Sequence, residues 1–419
     1  MSPVRLTVSM CVAEVFSMLG TFTFAALLPT FISEWQLTNT KAGWLSAIFL
    51  AGYAAAVPFL VSLTDRVDPR RIYLTSMLLG GLASLGFALL AQGFWTALLF
   101  RALAGVSLAG TYMPGLKALS DRIEGSQQPR AVAFYTSSFG IGVAFSFFVS
   151  GVVGAWLSMM YRSTSLGASL NWQWAFAVGA AGSVVAFLIV ARVLGPSEPQ
   201  RAAAPTPALF DFRPVLRNRS AMAYILSYTA HNWELFGMRS WVVALLAFTQ
   251  LRHGDTGALS PTVVATLMTL LGVWASITGN ELAMRFGRRR LIIVVMLSSA
   301  ILCGFIGFTS ALSYMAVAVL CLVHGVTVNG ESAAVTAGAI GTAAPGYRGT
   351  TMAIHSGFGF SFAFLGPLAF GWILDLAGGE SSLGWGLAYG SLGVVMVLGL
   401  IVFAALNPDE LPGDRKTSS

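Results

Sequence analysis

Long apolar segments alternate with short polar segments along nearly the whole chain. Each apolar segment has about 20 residues or more, and an α-helix of that length, rising 1.5 Å per residue, spans the hydrocarbon core of a bilayer, about 30 Å thick. The pattern therefore predicts an all-α integral membrane protein with twelve transmembrane helices. The segments lie at 7–31, 43–63, 73–92, 95–116, 131–157, 174–194, 221–248, 261–284, 291–310, 313–340, 350–377 and 385–406.

An internal repeat divides these segments into two sets of six. Residues 105–110, with the sequence GVSLAG, return as residues 325–330, with the sequence GVTVNG, and glycines of the fifth segment return in the eleventh at a similar offset. Such repeats predict two pseudo-symmetric six-helix bundles, as in many secondary transporters. The predicted domains are an N-terminal bundle (1–194), a proline-rich cytoplasmic loop (195–220), a C-terminal bundle (221–406) and a disordered cytoplasmic tail (407–419).

Composition and charge support a membrane location and predict an orientation. Hydrophobic residues make up 56% of the 419 residues and charged residues only 10%, which indicates that lipid surrounds most of the chain. If both termini are cytoplasmic, 19 of the 24 lysines and arginines lie on the cytoplasmic side, as the positive-inside rule requires. We therefore expect a multi-pass protein of a bacterial inner membrane. The arginines are scattered over many short loops, so the net charge of +7 does not indicate a nucleic-acid partner.

Two loops carry related basic motifs. Residues 63–71, LTDRVDPRR, and residues 282–290, LAMRFGRRR, resemble the Gly-x-Leu-Ala-Asp-Arg-x-Gly-Arg-Arg signature of the major facilitator superfamily, and Arg101, four residues before Gly105, resembles its second signature. The first loop has Asp68 in place of a glycine, and the second loop has Met284 in place of the acid. The resemblance implies the two-bundle fold of that family and transport by alternating access.

The resemblance also implies a cytoplasmic gate, in which charge-assisted bonds between these loops and neighbouring helix ends hold the inner face shut. The alternative is that the arginines only anchor the topology. The gate candidates are Asp65, Arg66, Arg70, Arg71, Arg285, Arg288 and Arg289.

Ionisable residues inside apolar segments are costly in lipid, and they are therefore candidates for a site in the bundle interior. Glu14 of the first segment and Arg101 of the fourth lie at depths that long side chains can partly bridge, which suggests an interhelical pair, either functional or a static bond. The family resemblance makes Arg101 a candidate for substrate binding or proton coupling.

The seventh segment holds three more such residues, His231, Glu234 and Arg239. His231 and Glu234 are three residues apart and share a helix face, and Glu234 lies near the midplane, where transporter sites are found. We expect Glu234 to be the proton site. The tenth segment adds the last three candidates, His324, Asn329 and Glu331, with Glu331 interpreted as a residue close to the cytoplasmic gate.

These observations predict a proton-coupled secondary transporter for a small solute. Two buried arginines among the acids favour an organic anion as the solute. The sequence shows no nucleotide-binding loop in a soluble segment, so transport driven directly by ATP is unsupported. Efflux of amphipathic compounds is the main alternative, because the seventh segment is rich in aromatic residues, although the fifth segment lacks the Gly-Pro pattern of drug antiporters. A membrane enzyme or a receptor is a further alternative. The expected partners are the solute, protons and lipid. We expect no cofactor, and we expect the protein to be a monomer.

No metal site is expected either. Cys11, Cys303 and Cys321 all lie in apolar segments without the spacing of metal ligands, and the interpretation is that they are small core residues.

Overall fold

The computed structural model describes residues 2–160, 171–196, 212–254, 259–411 and 414, which form helices and loops and no β-strand. The first eight helices are α1 Pro3–Ser17, α2 Thr23–Ala26, α3 Leu28–Glu34, α4 Asn39–Leu63, α5 Pro69–Leu90, α6 Phe94–Ser120, α7 Gln128–Met160 and α8 Asn171–Val193. The next eight are α9 Arg213–Arg217, α10 Arg219–His253, α11 Pro261–Phe286, α12 Arg288–Ile306, α13 Tyr314–Gly330, α14 Ser332–Gly341, α15 Arg348–Leu376 and α16 Ser382–Leu406.

The chain forms two compact units. The first comprises Met1–Leu37 with Trp44–Ala202, and the second comprises Thr38–Gly43 with Ala203–Ser419. Most of the proline-rich loop, residues 197–211, lies outside the described residues, and the predicted domain boundaries stay predictions.

Ten membrane-capable helices are found in the described part of the chain, by their length and apolar composition. Two predicted spans are not among them. The first predicted segment is divided into α1, α2 and α3, and the seventh corresponds to α10, whose polar residues lower its hydropathy. The all-α, multi-pass membrane architecture predicted from the sequence is confirmed.

Several helices begin at a proline or at a capping side chain. Asp68 precedes Pro69 and accepts a hydrogen bond from the backbone N–H of Arg70 at 2.9 Å, and Ser260 precedes Pro261 in the same way. Helix α10 ends at Gly254, whose φ of +62° lies in the left-handed region that closes many helices. These loops and helix starts are thus specified locally by the sequence.

The repeated motif has a packing role in each unit. A Cβ atom on Gly105 of α6 would meet the backbone carbonyl of Phe49 in α4, and one on Gly325 of α13 would meet Met268 in α11. Only glycine allows these pairs of helices to approach so closely. The echo between residues 105–110 and 325–330 therefore begins with the same kind of helix contact in both units.

The tenth predicted segment is two helices rather than one. Helix α13 ends at Gly330 and α14 begins at Ser332, and Glu331 is the joint between them. The backbone carbonyl of Glu331 still accepts a hydrogen bond from Val335 at 2.8 Å, so the break is local. Glu331 keeps backbone angles in the helical region, and the two helices together form one membrane-capable span, Tyr314–Gly341.

Candidate functional site

A buried pair of ionisable side chains lies at the break between α13 and α14. Nδ1 of His231 in α10 lies 3.1 Å from Oε1 of Glu331, with side-chain exposures of 2% and 0%. The His231 ring also stacks on Tyr228, which stacks in turn on His355 of α15. The Glu331 side chain is buried in the interior of the second unit, and its position close to a cytoplasmic gate stays a prediction.

A second histidine–carboxylate pair lies in the same unit. Nε2 of His324 in α13 is 2.8 Å from Oε1 of Glu234 in α10, and both side chains are buried. The Ser299 hydroxyl donates to the same carboxylate oxygen at 2.6 Å, and Sγ of Cys303 lies 3.1 Å from it. His231 and Glu234 share a face of α10, as predicted, but each is paired with a residue of another helix.

Each of these carboxylates is only partly satisfied. One oxygen of Glu234 and one of Glu331 are buried without a hydrogen-bond partner among the described residues. A buried charge with incomplete hydrogen bonding is unfavourable, so each pair is more stable in this packing when it holds a proton and is neutral overall.

Arg239 follows His231 and Glu234 along α10 and is also buried, with 6% of its surface exposed. Its guanidinium lies 5.8 Å from the Phe236 ring and makes no hydrogen bond or ion pair with any residue that the structure describes. A guanidinium in this state has unused donors for a ligand. Asn329, by contrast, donates to the Gly325 carbonyl of its own helix at 2.9 Å and therefore has a packing role.

In the first unit, Glu14 and Arg101 do not pair with each other. The Tyr135 hydroxyl donates to Glu14 Oε2 at 3.0 Å, while the other carboxylate oxygen is buried without a partner among the described residues. Arg101 donates instead to the backbone carbonyls of Thr21 at 2.9 Å and Leu45 at 3.0 Å. The Thr21 carbonyl is free for this bond because α1 ends before it, and the sequence pattern alone did not show that break.

Arg101 also lies between two aromatic rings, 5.4 Å from the Phe24 centroid and 5.0 Å from that of Phe49. These contacts favour the static interpretation of this residue, in which a guanidinium ties the break after α1 to α4 through carbonyl oxygens and ring faces.

The first motif loop uses a different acid from the one predicted. Asp65 is exposed, and its carboxylate accepts no hydrogen bond from the residues described, whereas Asp68 is buried, caps α5 and lies 3.9 Å from the Arg122 guanidinium. Arg70 donates to the Ala191 carbonyl at the end of α8 at 3.0 Å. Arg66 and Arg71 are exposed. A gating role for this loop remains a prediction.

The second motif loop obtains its acids from the C-terminal tail. The buried guanidinium of Arg288 donates to both carboxylate oxygens of Asp414, at 2.9 and 3.0 Å, and also to the Ala334 carbonyl at 3.0 Å. Glu410 accepts the backbone N–H groups of Arg288 and Arg289, each at 3.2 Å, at the start of α12. A carboxylate is stabilised there because the N-terminal N–H groups of a helix have no internal acceptors.

The expectation of a disordered tail is therefore wrong for its described residues, 407–411 and 414. Asp409 accepts a hydrogen bond from Ser220 at 2.7 Å, so the tail also contacts the start of α10. The sequence signal that was missed is the group of three acids at 409, 410 and 414, next to a motif loop whose own acid is replaced by Met284. Arg285 does not take part; it is exposed, with its guanidinium 5.3 Å from the Phe286 ring.

Two bundles of apolar helices with charged groups buried inside define a class, the polytopic membrane transporters. The Major Facilitator Superfamily family model matches residues 10–262, which is more than half of the chain, and the chain belongs to that family. The family consists of transporters, so the enzyme and receptor alternatives are not supported.

Several named transporters are similar to this chain over part of their length. Human protein spinster homolog 1 is 24% identical over 263 residues, covering 60% of this chain and 47% of the relative. The niacin transporter NiaP of Acinetobacter baylyi is 25% identical over 178 residues, covering 42% and 37%. A probable 4-methylmuconolactone transporter of Cupriavidus pinatubonensis is 24% identical over 283 residues, covering 65% and 61%. The similarity thus spans about a third to three fifths of these relatives.

Solved structures share the fold over nearly the whole chain. A bacterial homologue of the human lysosomal transporter Spinster, in an inward-facing and occupied conformation, has a TM-score of 0.71 at 18% identity and covers 97% of this chain and 96% of its own. A bacterial homologue of the human peptide transporters PepT1 and PepT2 has a TM-score of 0.75 at 13% identity, covering 97% and 98%.

Proposed function

We propose that this protein is a secondary carrier that moves a small organic anion across the membrane together with protons. The observation that carries the proposal is the buried His231–Glu331 pair at the break in the tenth predicted segment. Membership of a transporter family and the absence of a nucleotide-binding motif from the sequence support a gradient-driven mechanism.

The proton is assigned to the His231–Glu331 pair. When His231 and Glu331 share one titratable proton, the pair is neutral overall. When that proton leaves, a carboxylate remains in a buried site where one of its oxygens has no hydrogen-bond donor among the described groups. An uncompensated buried charge costs several kcal/mol, so losing the proton favours a rearrangement that admits water or a cation. The other titratable groups around the pair are Tyr228 and Glu234 of α10 and His355 of α15.

The anion is assigned to Arg239. Its guanidinium is buried yet has no carboxylate or carbonyl acceptor in the described structure, and a planar guanidinium binds a carboxylate through two parallel hydrogen bonds. Two of the named relatives are a niacin transporter and a probable 4-methylmuconolactone transporter, and both of these compounds are small carboxylates. A solute of that size and charge would supply the acceptor that Arg239 lacks.

Efflux of amphipathic compounds is less well supported by the same helix. Its argument was an aromatic lining on α10, but Trp241 is fully buried and donates to the Pro367 carbonyl at 3.0 Å. That side chain is committed to helix packing.

A thermal-shift comparison tests the anion proposal. Purified protein is heated with a panel of small carboxylates, including niacin, and with the corresponding neutral amides. A bound solute raises the apparent stability in proportion to the logarithm of its concentration over Kd. We expect stabilisation by at least one carboxylate and not by its amide, and loss of that stabilisation in Arg239→Gln. The exposed Arg285→Gln is the matched control and should behave like the wild type. Equal stabilisation by acid and amide, or an unchanged response in Arg239→Gln, would contradict the assignment.

A further inference from the structure

We propose that Glu234, Cys303 and His324 form a binding site for a divalent transition-metal ion of the zinc type. The three residues come from α10, α12 and α13, and each has 0% of its surface exposed. Their donor atoms lie within 4.8 Å of one another: Oε1 of Glu234 is 2.8 Å from Nε2 of His324, and Sγ of Cys303 is 3.1 Å from the first and 3.2 Å from the second. The site is separate from the His231–Glu331 pair and does not depend on the proposed transport function.

The donor set matches the preferences of zinc. Zn²⁺ binds thiolate at about 2.3 Å and imidazole or carboxylate at about 2.0–2.2 Å, mostly with four ligands. Three donors separated by 2.8 to 3.2 Å can all reach such an ion if it lies just above their plane, and small side-chain rotations would widen the triangle. The second oxygen of Glu234, buried without a described partner, is the nearest candidate for a fourth ligand.

The surroundings orient these ligands. The Ser299 hydroxyl donates to Oε1 of Glu234 at 2.6 Å, which fixes the carboxylate as an outer-shell partner does in known metal sites. Nδ1 of His324 has no hydrogen bond to a described residue, so no neighbour prevents it from carrying the ring proton and leaving Nε2 free to bind.

Charge balance favours a divalent ion in this apolar interior. Binding releases two protons, one from the Cys303 thiol and one that the Glu234–His324 pair holds in its neutral state. A thiolate and a carboxylate then neutralise the two positive charges of Zn²⁺, with neutral imidazole as the third ligand. A monovalent ion would leave a net negative charge in the same site, and a hard ion such as Mg²⁺ would not favour sulfur.

The chain offers a matched control in Cys321. This cysteine is also buried, lies on the same helix as His324, and belongs to no cluster of metal-ligating side chains among the described residues. If buried thiols of this protein bound metal ions non-specifically, Cys303 and Cys321 would contribute equally to binding. The proposed site makes them different.

The test uses the full-length purified protein, free of any affinity tag, titrated with Co²⁺ and then with Zn²⁺. We expect one Co²⁺ per chain, with a thiolate-to-cobalt charge-transfer absorption in the near ultraviolet that Zn²⁺ abolishes. Cys303→Ser should remove the absorption, Cys321→Ser should keep it, and Glu234→Gln should weaken Zn²⁺ affinity at least tenfold. Variants are compared only when their gel-filtration profile and unfolding temperature show that they fold.

Three outcomes would overturn the proposal. They are a wild-type protein without the thiolate absorption, an absorption that survives in Cys303→Ser, and an equal loss in Cys321→Ser. Each is a binding measurement in detergent, so its result does not depend on whether the protein transports an anion or couples to protons.

Discussion

Single residues in this protein show how buried charge is stabilised without a counter-ion. Arg101 has 5% of its surface exposed, no described acid within hydrogen-bonding distance, and its donors directed at backbone carbonyls. The Thr21 carbonyl belongs to the break after α1, where the backbone has an acceptor without an intrahelical donor, whereas Leu45 lies within α4. The Arg101 guanidinium therefore links the break after α1 to α4 by hydrogen bonds.

Arg101→Ala should therefore reduce stability more than it alters a binding site. The substitution removes two charge-assisted hydrogen bonds and leaves the buried Thr21 carbonyl without this donor, a loss of about 2–4 kcal/mol. The measurement is thermal unfolding of the purified protein, with the exposed Arg192→Ala as control. An unfolding temperature equal to that of the wild type, together with loss of solute binding, would show that Arg101 serves the site and not the fold.

The residue scale also shows what a sequence can reveal of a site. Ionisable residues inside apolar segments pointed to His231, Glu234, His324 and Glu331 as members of a buried polar region, and the structure brings all four into the second unit. Their pairing was not predictable, because it depends on which neighbouring helix faces each side chain. Cys303 gave no signal at all, since nothing in its sequence neighbourhood marks it as a partner of Glu234.

At the scale of elements, the C-terminal tail performs a task that the family signature gives to a loop. Met284 stands where the second loop should have its acid, and Asp414 supplies the carboxylate to Arg288 from 126 residues further along the chain. Glu410 meanwhile caps α12. The tail is therefore part of the folded second unit.

Asp414→Asn should destabilise the protein. The side chains of Arg288 and Asp414 are only 3% and 2% exposed, and breaking a buried pair on one side costs about 3–5 kcal/mol, because the remaining charge is uncompensated. The readout is the unfolding temperature of the full chain. Asp65→Asn, which changes an exposed acid of the first loop, is the control and should have little effect. If Asp414→Asn has as little effect as Asp65→Asn, the tail contact contributes no stability.

Helix breaks mark the limit of prediction at this scale. Apolar length alone located the long helices, because a bilayer imposes that length. It could not show that 7–31 is three helices or that 313–340 is two, since each break falls inside a segment that is long enough and apolar enough overall to be read as one span. The breaks depend on tertiary contacts, such as those of Arg101 and Glu331, which the local pattern does not contain.

At the scale of the whole molecule, two related units have acquired different interiors. Gly105 and Gly325 begin the same kind of helix contact in both. The first unit then buries Glu14 against a tyrosine, whereas the second buries two histidine–carboxylate pairs. This asymmetry supports our proposal that the second unit handles protons, while the repeated packing preserves the shared architecture.

The central claim is that the Glu331 proton couples transport to the membrane gradient. The solute that gives the largest thermal shift is radiolabelled, and its uptake into proteoliposomes is measured with and without an imposed pH gradient. Glu331→Gln keeps a side chain that can hydrogen-bond to His231 but has no carboxyl proton to gain or lose. Glu281→Gln, an exposed change on α11, is the control.

We expect the wild type and Glu281→Gln to accumulate solute above equilibrium with the pH gradient, and a protonophore to abolish that accumulation. Glu331→Gln should still exchange labelled for unlabelled solute but should not accumulate it. Gradient-driven accumulation by Glu331→Gln at the wild-type level, or wild-type uptake that ignores the protonophore, would contradict the account.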